Sequence, residues 1–343
     1  MSGIELNCLP TIIGTMPQTS ARQACEQILH YLKDIPAWPQ LPKRSFLESM
    51  HIQYSEGFPG LVVNENKIFV DRNKDIDKSL EQLYSAYLAN DIDKYPITPD
   101  YAAGLYQFLS YTDLKARAVK GHIVGPITWG MTVTDNAQRA IAYDEVLADA
   151  CAKLLKLKAS WMEKELHKIS RNTIIFVDEP YLTSLGSSFF ALSQEKVVSL
   201  LEEVFSGIKG LKGVHCCGNT DWSVLLGTSI DILSFDAYEY AHTLTLYPQE
   251  VRKYIDRGGA VAWGIVPNDE VALAKETTGS LLERLEEAIA PFTRKGIDIP
   301  FRRLITQGLL TPACGMERLS PEAAGKALEV LADLSEKVRS RWG

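Results

Sequence analysis

The chain has 343 residues, 46% of them hydrophobic, enough apolar material for one large core. A net charge of −7 excludes nucleic acid or an anionic membrane as the main partner, because phosphate recognition needs a clustered positive field. "MSGIELNCLPTIIGT" lacks the basic and long apolar regions of a secretory signal, and no stretch is long enough to span a bilayer, so a cytoplasmic protein is expected.

Eight apolar, β-branched runs that end in Gly, Pro or a charged residue predict strands. They are "LPTIIGT" (9–15), "MHIQYSE" (50–56), "AVKGHIVG" (118–125), "NTIIFVDE" (172–179), "GVHCC" (213–217), "IDILSFD" (230–236), "AVAWGIV" (260–266) and "RRLITQG" (302–308). Segments of helical period lie between them, from "TSARQACEQILHYLKD" to "SPEAAGKALEVLADLSEKVR", where Ser320 and Pro321 make a good helix start. Between residues 57 and 116 the chain is too long for a simple crossover. "GLVVNENKIFV" predicts a hairpin with its tip at Asn64–Asn66, followed by two helices, an elaborated loop region after strand two.

Alternating strands and helices favour a parallel sheet, and eight units point to an α/β fold of the closed (β/α)8 TIM-barrel type, a single domain over 1–343. An open doubly wound sheet is the alternative, but no G-x-G-x-x-G follows a strand.

Polar residues at the ends of such buried strands need a reason, and in a barrel that reason is usually catalysis. Thr15, Glu56, the Asp178–Glu179 pair, His215, Cys217 and Asp236 end predicted strands, and Cys314 follows the last. His215 and Cys217 are two apart, so both side chains leave one face of a strand and can share a cation, whereas Cys216 points the other way. Imidazole with thiolate suits zinc; Cys314 can add a second thiolate and strand six a carboxylate. Plainer readings stand beside these: a satisfied core histidine, a vicinal Cys216–Cys217 redox pair, and carboxylates that cap helices or pair with lysine. The six cysteines (8, 25, 151, 216, 217, 314) are too scattered for a disulfide framework, so reduced thiols are expected. Gly14 would let a substrate carboxylate approach main-chain N–H groups, while Ile13 reads as core.

"TIIGTMPQT", "GHIVGPITW", "FVDEP", "HCCGN" and "PACG", in that order, resemble the motifs of the catalytic barrel of cobalamin-independent methionine synthase, within the superfamily that also holds uroporphyrinogen decarboxylase. The resemblance implies a zinc-dependent methyltransferase acting on homocysteine, with His215, Cys217, Asp236 and Cys314 as zinc ligands and Glu239 as a rival to Asp236. It further implies that Ile13, Gly14 and Thr15 contact the amino-acid part of homocysteine, and that Glu56 and Asp178 hold its ammonium. Two departures bear on the methyl donor. No counterpart of the family's N-terminal barrel, which helps hold the folate donor, is expected here, and Ile265 in "WGIVPN" stands where the family has a proton-donating histidine. A folate amine must be protonated as it leaves, whereas a cobalt-bound methyl group needs no acid. A methylated corrinoid, free or on a partner protein, is therefore the expected donor. Other readings are transfer to another thiol such as coenzyme M, or a non-catalytic zinc module that docks corrinoid proteins.

Overall fold

A computed structural model describes residues 4–64, 67–188 and 190–343. The strands are β1 (Leu9–Pro10), β2 (Leu61–Asn64), β3 (Lys67–Val70), β4 (Val119–Val124), β5 (Thr134–Asp135), β6 (Thr173–Asp178), β7 (Leu211–Cys216), β8 (Ile232–Phe235), β9 (Ala260–Val266) and β10 (Gly308–Pro312). Seven of them form one sheet in the order β1-β10-β9-β8-β7-β6-β4, and every pair in it is parallel. β4, β6 and β9 are buried along their whole length, as expected of strands covered on both faces. Leu9, Ala118, Ile174, Phe176, Ile232, Ala262 and Leu309 form a second core cluster drawn from strands across the sheet, so the curled sheet fills its own concave side. Among the described residues no helix is long and apolar enough to cross a membrane.

Two of the eight predicted strands are corrected. Residues 50–56 carry a helix, Met50–Gln53, and 302–308 begin with the helix Phe301–Thr306, so that the strand is Gly308–Pro312. Apolar residues at Met50, Ile52 and Tyr54 suggest period two, but so short a run does not establish a period, and it holds a single β-branched residue.

What lies between β1 and β4 is residues 36–40. Gln40 N–H donates to Gly14 C=O (3.0 Å) and Met16 N–H to Gln40 C=O (2.9 Å) on one side. Lys120 N–H donates to Pro36 C=O (2.8 Å) and Trp38 N–H to Lys120 C=O (3.3 Å) on the other. This segment bridges both edges of the sheet, at Thr15–Gln40 and Ala37–Lys120. Its sequence, "PAWPQLP", hides the role: prolines 36, 39 and 42 donate nothing to a ladder, leaving only the alternate N–H groups of Trp38 and Gln40 to pair.

The hairpin is present as antiparallel β2 and β3, with β5 joining β3; residues 65 and 66 of its predicted tip lie outside the described residues. The two helices expected after it are Asp77–Ala89 and Ala103–Leu109.

Glu179 illustrates how the polar residues near the strand ends are divided. It is fully buried and accepts from Ile127 N–H (2.8 Å), Thr128 N–H (2.7 Å) and the Thr128 hydroxyl (2.6 Å), which satisfies the start of the helix Pro126–Thr132. That is the capping role, not a substrate contact. A Cβ at Gly125 would sit 2.1 Å from Glu179 Oε1. Gly125→Ala is therefore expected to break this arrangement and cost about 3 kcal/mol, read as a lowered urea midpoint at unchanged slope. An unchanged midpoint would mean that the carboxylate swings aside freely.

Candidate metal and substrate site

His215 lies in β7 and Cys217 just beyond it, while Cys314 follows β10, and parallel pairing through β8 and β9 brings these ends to one side of the sheet. Their ligand atoms all lie within 4.8 Å of one another. The local reason is alternation: Cys216 turns into the core, where burial pushes its thiol up to about 12, and Cys217 turns outward beside His215. A hydrogen bond from Cys314 and the neighbouring His215 pull the Cys217 thiol well below its ordinary value, and the same sharing pushes Cys314 up. All six cysteines are free thiols.

The imidazole is prepared for a cation. His215 Nδ1 is 3.0 Å from Ser234 Oγ, which fixes the ring, and the buried Nε2 has no hydrogen-bond partner. An orphaned nitrogen beside two sulfurs, one of them favoured as thiolate, is a donor set that fits zinc.

Asp236 lies outside that close set. One of its oxygens accepts Glu239 N–H at 2.9 Å and caps the helix Ala237–Leu244, and burial pushes the carboxyl up to about 6, with His215 and Cys217 near enough to act on its charge. Glu239 is exposed and borders a separate surface hollow with Arg284 and Glu287.

The cluster opens on a cavity of about 290 Å³ that Ile13, Thr15, Asp178 and Glu317 also line, and no Lys or Arg is among its lining residues. Burial raises the Asp178 carboxyl to about 6, against the lowering pull of His215 and Lys120, and its buried Oδ1 has no hydrogen-bond partner. Gly14 sits where a Cβ would meet the His122 ring at 2.6 Å, so the chain can pass this close only as glycine. Ile13 is held from beneath: the fully buried Lys120 Nζ donates to its C=O at 2.7 Å.

Glu56 is not among the residues lining the cavity. It accepts the Thr98 hydroxyl at 2.9 Å, and its charge acts on the buried Lys158. The displacement follows from the corrected strand: Gln40, on the bridging segment, takes the place next to Thr15 that Glu56 was expected to take. Gln40, His51 and Glu317 line the cavity and were not singled out from sequence. A signal existed for Glu317, three residues after Cys314, and for Lys120, a charge inside an apolar run; Gln40 had none while residues 36–40 read as loop.

The molecule thus belongs with parallel α/β proteins that assemble a site at the carboxyl ends of their strands. Among solved structures the chain is similar in fold to a B12-independent methionine synthase from Shewanella sp. W3-18-1 in complex with selenomethionine, with a TM-score of 0.60 at 18% identity over 98% of this chain and 99% of that one. It is also similar to a putative vitamin-B12 independent methionine synthase from Listeria monocytogenes, with a TM-score of 0.55 at 13% identity over 95% and 86% of the two chains. At these identities the likeness is one of fold. No protein-family model and no curated protein matches the chain.

Proposed function

We propose that the protein is a zinc-dependent methyltransferase that moves a methyl group to the thiol of homocysteine and so forms methionine. The observation that carries this is the His215–Cys217–Cys314 cluster, with an unpartnered imidazole nitrogen, opening on a cavity that also holds an unpartnered carboxylate. The Shewanella structure holds selenomethionine, the selenium counterpart of that product, in a chain matched over nearly its full length, which supports the reading. In the same spirit, residues 36–40 serve as the eighth stave of a closed (β/α)8 barrel that forms one domain.

Zinc, when bound, lowers the pKa of an acceptor thiol so that a thiolate exists at neutral pH. His215, Cys217 and Cys314 would hold it, with Asp236 rather than the exposed Glu239 as the carboxylate ligand. Ser234 keeps the His215 ring turned toward the sulfurs. Lys120 fixes the Ile13 carbonyl at the cavity wall, whereas Gly14 is not among the lining residues and its missing Cβ makes room for the His122 ring. Asp178, on the cavity wall, would offer its carboxylate to the ammonium.

Absence of Lys and Arg from the cavity wall speaks against a sulfonate acceptor such as coenzyme M. A cavity beside the cluster speaks against a closed structural zinc in a non-catalytic docking module. Two observations weigh on the donor. Ile265 is fully buried in β9 and supplies no acid, which favours the leaving group that needs none, a corrinoid. Both structural neighbours are described as B12-independent, which does not support a corrinoid donor or a corrinoid-protein partner and favours a folate.

Zinc-loaded protein is expected to convert homocysteine to methionine, with methylcobalamin and methyl-tetrahydrofolate tested side by side and product read by mass spectrometry. The faster donor decides between the two. A zinc-loaded protein that makes no methionine from either would overturn the proposal.

A further inference from the structure

We infer that Glu317, carried on the loop behind Cys314 and tied to Thr15, is the carboxylate that selects an acceptor bearing an α-ammonium group. The inference rests on the thiol-methylation reading above and names which part of the acceptor the cavity discriminates.

The loop is built to hold this side chain in place. Thr15 Oγ1 donates to Glu317 Oε2 at 2.7 Å, Met316 N–H donates to Thr15 C=O at 2.9 Å, and Asn268 Nδ2 donates to Gly315 C=O at 3.0 Å. A Cβ at Gly315 would lie 1.8 Å from Thr15 Oγ1 and 2.7 Å from Glu317 Oε2, so the Thr15–Glu317 pair exists only because glycine follows Cys314. Two residues separate Cys314 from Glu317, and both line the same cavity.

The hydrogen-bond inventory sets the selectivity. A threonine hydroxyl has one proton, and Thr15 has given it to Glu317, so it has none left for a substrate carboxylate. What this wall offers the cavity is acceptors: the side chains of Thr15, Glu317 and Asp178 all line it, and no Lys or Arg does. A primary ammonium brings three donors and one positive charge to that set, whereas an acceptor lacking the amine leaves the two carboxylates of the cavity wall without a cation. Glu56, bound to Thr98, does not reach this wall.

The test compares binding of homocysteine and of 4-mercaptobutanoate, which keeps the thiol and carboxylate but lacks the amine, to zinc-loaded protein by calorimetry. Wild type should prefer homocysteine. Glu317→Gln should weaken homocysteine about 30-fold, the scale of a charge-assisted hydrogen bond, and change 4-mercaptobutanoate by less than about twofold at unchanged zinc content. Glu317→Asp, which restores the charge, should recover part of the loss. Equal weakening of both thiols would assign Glu317 a bracing role and overturn the inference, as would no weakening. Wild type that binds both thiols equally overturns this inference alone. Wild type that binds neither overturns the acceptor reading together with it.

Discussion

Cys217→Ser should lower bound zinc from about one ion per chain to less than about a tenth, and methyl transfer should fall at least about a thousandfold with it. The sulfur is one of two in the cluster, and an alcohol at that point neither ionises near neutral pH nor matches zinc's preference for soft donors. Its neighbour provides the control. Cys216 differs by one position in sequence, yet it is fully buried and its thiol is held protonated, so Cys216→Ala should keep both zinc and activity while costing some core packing. Metal analysis and methionine formation on the two variants separate the zinc site from a vicinal redox pair, which would lose function with either change. Zinc retained in full by Cys217→Ser would sink the assignment.

Wild type should gain stability over Lys120→Met, on the order of 3 kcal/mol, as pH rises from about 7 toward 10. Lys120 is fully buried against the Phe176 ring, and burial pulls its ammonium from the ordinary lysine range down to about 7, with Asp178 opposing that shift. The folded pKa lies below the unfolded one, so the unfolded chain binds the extra proton between these limits. The cost of burying the charge is full below pH 7 and is relieved as pH climbs through that window. Taking the difference between wild type and variant cancels the buried tyrosines and cysteines, whose raised values act in the opposite direction. Urea unfolding of both proteins at pH 7, 8.5 and 10 measures it; parallel pH profiles would show that Lys120 carries no buried titration. The variant also frees the Ile13 carbonyl, so its homocysteine affinity should fall at every pH.

Much of the site is legible in the sequence. His215 and Cys217 are two residues apart on a strand, and period-two alternation is a local property of extended backbone, so their shared face follows from spacing. Cys314 joins them because parallel strand ends gather on one side, which the seven-stranded sheet provides. Five of the predicted strands, in 118–125, 172–179, 213–217, 230–236 and 260–266, fall within two residues of the observed ones, because an apolar run buried on both faces has few other structures open to it.

Sequence alone therefore determined the parallel α/β class, the paired His and Cys donors, and a mild acidic excess, all of which follow from local period and residue chemistry. Tertiary structure decided which segment lies beside Thr15. Two prolines disguise residues 36–40, and only hydrogen bonds from both sheet edges reveal their place, which put Gln40 beside the cavity and left Glu56 with Thr98. It likewise decided that Glu317 faces Thr15 across 302 residues of chain and that Lys120 supports Ile13 from below, since contacts between distant residues depend on how strands close upon one another and not on any pattern within one of them.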